Sequence, residues 1–216
     1  MNLDYARRQM VEQQVRTWEV SDRATLDVLG EVPREEFVPA GFEELAFAET
    51  AIPLAHGQCM LTPTVEGRLL QALGLSATDS VLEIGTGSGF LTACLARLAK
   101  AVVSVDIFSD FVDTAGARLK SCGIDNVTLK NLDAMRELPG GPFDTIAVGG
   151  SMPCFDNRLF ELLAPGGRLF VIVGTAPIMD AQLIVRQSDK TPRVTSLFET
   201  MVPALLNAPS PSGFVF

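Results

Sequence analysis

The stretch Ser80-Val81-Leu82-Glu83-Ile84-Gly85-Thr86-Gly87-Ser88-Gly89-Phe90 constrains the fold more than any other segment. In it a buried-strand pattern runs into a glycine-rich turn and then into a helix start. Val81, Leu82 and Ile84 form an apolar run with one acid set into it, and Gly85, Gly87 and Gly89 permit backbone angles and close approaches that a Cβ blocks. Leu91, Leu95 and Leu98 then fall on one helical face, so the N–H groups at that helix start face whatever sits above the strand. Such a turn cradles a nucleoside ligand; without one it is a tight strand-to-helix connection.

Spacing and charge narrow the ligand. The dinucleotide fingerprint G-x-G-x-x-G sets a pyrophosphate on the helix N-terminus. Here the third glycine comes one residue early, and Phe90 fills the place that a strict match requires. Glu83 stands two residues before the first glycine, where a carboxylate repels a pyrophosphate but attracts an ammonium. S-adenosylmethionine carries no phosphate and presents an amino acid ammonium and a sulfonium. E-x-G-x-G-x-G therefore reads as a methyltransferase motif. Ala101-Val102-Val103-Ser104-Val105-Asp106 is a second β-branched run, and its terminal acid is placed to accept hydrogen bonds from two ribose hydroxyls.

The bulk composition excludes several classes. A net charge of −9 and a pI near 4.6 oppose attraction to polyphosphate, so nucleic acid is a poor partner. Cys59, Cys94, Cys122 and Cys154 include no C-x-x-C pair, and His56 is the single histidine, which argues against a metal site. The N-terminus lacks the apolar core of a signal peptide and no long apolar run follows, so the expected setting is cytoplasmic and reducing, away from membranes.

Helical spacing predicts an amphipathic helix within residues 1–20 carrying Met10, Val11, Val15 and Trp18, then a helix capped by Ser21 that stops before Pro33. A Phe- and Pro-rich loop occupies 34–56, and a third helix ends near Leu73-Gly74. From Ser80 onward the pattern alternates: strand 80–85, helix 88–99, strand 101–106, helix 108–121, strands 126–130 and 143–148, helix 155–163 and strand 167–174. Two short strands follow at 183–186 and 194–198. Alternation implies a parallel sheet with helices on both faces. Ligands of such sheets sit at the carboxyl ends of the strands, where Gly85 to Gly89, Asp106, Asp133 and Gly149-Gly150 converge. Asp133 is placed either to accept from an adenine amino group or to cap a helix. The apolar end Phe214-Val215-Phe216 is expected to dock on the domain.

Val32-Pro33-Arg34-Glu35-Glu36-Phe37-Val38-Pro39, Ile52-Pro53-Leu54-Ala55-His56-Gly57-Gln58, Pro63, Val81 to Phe90 and Ala164-Pro165-Gly166-Gly167-Arg168 resemble the protein-L-isoaspartate O-methyltransferases. The resemblance implies an α/β, Rossmann-like methyltransferase fold with a mostly parallel seven-stranded sheet and an N-terminal helical extension. Residues 1–78 would form that extension and 79–216 the core of one compact unit. It implies S-adenosylmethionine as methyl donor, S-adenosylhomocysteine as product and the free carboxylate of an isoaspartyl protein as acceptor, a repair reaction. Carried over by position, donor contacts fall on Gln58, Cys59 and Met60, on Glu83, Ile84, Gly85, Thr86, Gly87 and Gly89, on Asp106 and Ile107, and on Asp133 and Ala134.

One departure bears on the acceptor. Where the family carries Thr-Ile-Ser after Gly-Gln, with the serine hydroxyl at the active site, this chain has Cys59, Met60 and Leu61. Leucine neither donates nor accepts a hydrogen bond. Thr62, one residue on, and Ser151, after the fourth strand, are the hydroxyls considered as substitutes. His56 is the one side chain placed to act as a base, with loop packing as its other reading. Three functions compete: isoaspartyl methylation, methylation of a small apolar acceptor, and non-catalytic binding of S-adenosylmethionine.

Overall fold

The computed structural model describes residues 2–210. A single seven-stranded sheet organises the molecule, in the order β3-β2-β1-β4-β5-β6-β7. Its strands are β1 (Ser80–Ile84), β2 (Ala101–Asp106), β3 (Val127–Asn131), β4 (Phe143–Met152), β5 (Leu163–Thr175), β6 (Ile178–Arg186) and β7 (Pro192–Thr200). β3, β2, β1, β4 and β5 are parallel, whereas β6 and β7 run antiparallel to their neighbours. The mostly parallel Rossmann-like sheet expected from alternation is the observed one. The C-terminal Phe214-Val215-Phe216 lies outside the described residues.

The two faces of β1 separate the two halves of the core, because successive side chains on a strand point oppositely. Val81 joins a cluster with Phe37, Leu69, Phe90, Leu95 and Phe170. Leu82 and Ile84 join the other, with Val105, Ile146, Leu159 and Val171. The first cluster includes residues of α2 (Arg23–Glu31), α3 (Pro63–Leu73) and α4 (Phe90–Leu98). α5 (Ser109–Ser121) packs against β2 and β3, and α6 (Asn157–Glu161) against β5.

The N-terminal segment departs from the single amphipathic helix expected of it. It is α1 (Leu3–Gln9), a wider π-helical turn over Met10–Val15 and a tight turn over Arg16–Trp18. Widening brings Met10, Val11 and Val15 into the core together while Trp18 stays exposed. α2 is capped by Asp22 rather than by Ser21, since the Asp22 carboxylate accepts from Thr25 N. Gly74 ends α3 with φ 52°, as a left-handed C-cap. No helix among the described residues is long and apolar enough to cross a membrane.

Candidate methyl-donor site

β1 ends at Ile84, and the chain turns through Gly85 to Gly89 into α4. Gly85 has φ 94° and faces Gly149 on neighbouring β4, where a Cβ added to Gly149 would stand 2.9 Å from the Gly85 carbonyl oxygen. Two glycines thus allow the strand ends to close on each other. Gly89 serves a different contact: a Cβ there would meet Ala115 Cβ at 2.9 Å, so it lets α4 lie against α5 and lines neither cavity described below.

A cleft of about 630 Å³, part of it open to solvent, lies above these strand ends. Gln58, Cys59, Ile84, Gly85, Gly87, Asp106, Ile107, Asp133 and Ala134 line it, all singled out by the sequence. Asp106 is held in place by its neighbours, accepting from Gly87 N at 2.9 Å and from Phe108 N at 3.0 Å. Burial pushes its carboxyl above the usual range, opposed by those two backbone bonds. Asp133 accepts from Met135 N at 3.0 Å and from the Asn207 side chain at 2.7 Å, so it shapes a turn while also lining the cavity. The loop carrying Gln58 and Cys59 is pinned by Leu54 N to Gln58 O and Met60 N to Ile52 O, both 2.8 Å.

A smaller chamber of about 310 Å³, counting space open to solvent, adjoins the first, and Leu54, Cys59, Gly85, Gly87 and Gly149 border both. Met60, Leu61, Thr86, Ser88, Leu91 and Glu66 complete its wall. Met60 and Thr86 therefore line this second chamber only.

Three sequence assignments need correction. Glu83 lines neither chamber: it points to the α4 face of β1, where Thr92 and Ser104 hydroxyls donate to Oε2 at 2.5 and 2.6 Å. Strand alternation sends it there, away from the cavity-lining Ile84. Buried without a cation partner among the described residues, its carboxyl rises from 4.5 to about 8. Ser151 is not a free hydroxyl. β4 continues through it after a shift in register, and its side chain donates to Val202 O at 3.0 Å in a fully buried setting. Thr62 caps α3, accepting from Val65 N and bonding Thr64 at 3.2 Å, and it opens toward Trp18, Arg68 and Phe198 instead of the donor cavity.

His56 packs flat on Phe108 with ring centroids 3.8 Å apart, and its Nε2 lies 3.0 Å from Asp110. That is a loop-packing contact outside both chambers. Sequence reasoning missed Phe108, Phe111, Leu132, Met135, Leu205 and Leu206 as wall residues. Phe108 and Leu132 follow from adjacency to Asp106 and Asp133, whereas Leu205 and Leu206 arrive from beyond β7 with no local signal.

A parallel sheet with a glycine turn after β1, an acid ending β2 and a long cavity above both defines a Rossmann-like S-adenosylmethionine-dependent methyltransferase. The residues fit that donor: Asp106 retains lone pairs toward the cavity, and the glycine pair leaves room where Cβ atoms would intrude. The family profile described as Protein-L-isoaspartate(D-aspartate) O-methyltransferase matches residues 6–206. A Rhodopseudomonas palustris protein-L-isoaspartate O-methyltransferase 1 is 37% identical, over 83% of this chain and 73% of that one. A protein-L-isoaspartate O-methyltransferase from Opitutus terrae is 35% identical over 88% of this chain and 82% of its own. A Plasmodium falciparum structure described as a protein-L-isoaspartate O-methyltransferase in complex with S-adenosyl-L-homocysteine superposes with a TM-score of 0.77 at 21% identity, covering 93% of this chain and 98% of that one. The chain belongs to the protein-L-isoaspartate(D-aspartate) O-methyltransferase family.

Proposed function

We propose that this enzyme transfers a methyl group from S-adenosylmethionine to the free α-carboxylate of L-isoaspartyl residues in proteins, in the cytoplasm. The match across residues 6–206 carries the reading, because it spans the N-terminal loop as well as the glycine turn. Asp106 is assigned to the ribose hydroxyls, Leu132 and Ala134 to the faces of the adenine, and Gly85 with Gly87 to the approach of the sulfur-bearing chain. Gln58 and Cys59 close over the same space and Met60 over the adjoining chamber, all from the extension 1–78, with 79–216 as the core unit.

The donor supplies an electrophilic methyl on a sulfonium. A carboxylate acceptor with a pKa near 4 is already ionised at neutral pH, so no general base is required. The protein's task is alignment, with reacting atoms about 3 Å apart and in line. Leu61 leaves one positioning hydrogen bond unmade, which costs on the order of 1–3 kcal/mol in the transition state. That slows the reaction by roughly 5- to 150-fold without abolishing it.

Leu61, standing where the family carries the serine hydroxyl, favours a second reading, a small apolar acceptor. Labelled methyl transfer to an isoaspartyl peptide and to its aspartyl twin separates the two. Label on the isoaspartyl peptide alone is expected. Label on neither, with S-adenosylhomocysteine bound in calorimetry, overturns the isoaspartyl assignment.

A further inference from the structure

Glu83 has its back to both chambers, so the donor's ammonium needs another partner. Glu66, in the first turn of α3, is only 2% exposed and lines the smaller chamber. One of its oxygens, Oε2, is taken by the Arg34 guanidinium, and Oε1 accepts no hydrogen bond among the described residues. Oε1 is not sealed from solvent, so it is open to a donor from a ligand in the chamber that Glu66 lines.

The chamber lies where the amino acid end of the donor must go. Gly85 and Gly87 border both cavities, so a ligand with its ribose at Asp106 and its adenine at Ala134 continues past them into this space. Thr86 and Ser88 of the glycine turn and Leu91 in the first turn of α4 form another part of its wall, beside a helix start whose N–H groups favour an anion. An α-amino acid needs that pair of environments, one acidic and one electropositive.

Charge balance supports the same assignment. Arg34 is fully buried, donates to Ala46 O at 2.9 Å and to Leu61 O at 2.8 Å, and lies 4.6 Å above the Phe90 ring. Glu49 and Glu83 also bear on Glu66, and they disfavour its charge. Desolvation is the dominant influence, raising the Glu66 carboxyl from its ordinary range despite Arg34. An arriving ammonium relieves that desolvated carboxylate.

We infer that Glu66 binds the α-ammonium of S-adenosylmethionine and S-adenosylhomocysteine through its free oxygen. The assignment rests on the donor part of the proposed function and is independent of the acceptor.

Calorimetry with three ligands tests it: S-adenosylhomocysteine, its desamino analogue and 5′-methylthioadenosine, which lacks the amino acid end. Glu66→Gln is expected to weaken S-adenosylhomocysteine by about 10- to 100-fold and to leave the other two within about 2-fold. If that variant does not fold, Glu66→Asp, which keeps the charge and shortens its reach, is expected to show the same selective loss. Unchanged S-adenosylhomocysteine affinity, or equal loss for all three ligands, overturns the assignment. Failure of all three to bind the unaltered protein overturns the donor reading and this assignment with it. Failure of isoaspartyl methylation with the selective loss intact overturns only the acceptor.

Discussion

At the scale of single residues, Leu61 and Gly149 act in opposite ways. Leu61 is 6% exposed, and its carbonyl is fixed by Arg34, so its side-chain position is set by backbone anchoring. Leu61→Ser introduces a hydroxyl at an already rigid point. We expect kcat/KM for an isoaspartyl peptide to rise by roughly 5- to 150-fold, with little change for an aspartyl control. An unchanged rate argues against isoaspartyl turnover. Gly149 touches the opposite strand end, and Gly149→Ala forces its Cβ onto the Gly85 carbonyl. A loss of about 1–3 kcal/mol in urea unfolding is expected, together with weakened S-adenosylhomocysteine binding.

At the scale of elements, polar side chains join β1 to α4 and β2, and the start of α3 to the loop before it. Glu83 sits between Thr92 of α4 and Ser104 of β2, and folding raises its carboxyl from 4.5 to about 8. The folded state therefore holds a proton that the unfolded chain releases above about pH 4.5. Its contribution is fully present below that pH and falls as pH rises toward 8, where it levels. Glu83→Gln is expected to flatten the decline in urea midpoint between pH 5 and pH 8; an unaltered slope assigns the decline to other groups. Arg34 ties the start of α3 to the preceding loop through Ala46, Leu61 and Glu66. Arg34→Met strands the Glu66 carboxylate and is expected to cost about 3–5 kcal/mol by chemical denaturation.

The same elements show what a sequence exposes. β1 and β2 were readable because strands buried on both sides are near-continuous apolar runs. β6 and β7 extend several residues beyond the expected 183–186 and 194–198, since their hairpin is partly exposed and polar residues interrupt its pattern. The expected helix 155–163 shrinks to Asn157–Glu161 because Leu163 pairs with Phe143 and opens β5. The donor cavity was legible wherever it follows strand ends, as at Gly85, Asp106 and Ala134. Glu66 was not legible, because helical spacing places it on a core face and only tertiary packing shows that it lines the smaller chamber.

At the scale of the whole molecule, the donor cavity bridges parts of the chain far apart in sequence, so ligand binding and global stability are linked. S-adenosylhomocysteine at about 100 times its Kd should add about 2.7 kcal/mol. For a chain of this size that raises Tm by roughly 5–11 °C, whereas adenine alone at the same concentration should move it far less. No shift with the full ligand contradicts the placement of the donor in this cavity.

Leu205 and Leu206 belong to the segment after β7, and its backbone pairs with Ser151 deep in β4. The wall of the donor chamber thus joins a residue near position 54 to residues past position 200. During synthesis the glycine turn and Asp106 leave the ribosome long before that wall exists. A nascent chain carries the recognisable motif without a closed chamber, and competence to retain the donor arrives only as the segment after β7 settles against β4.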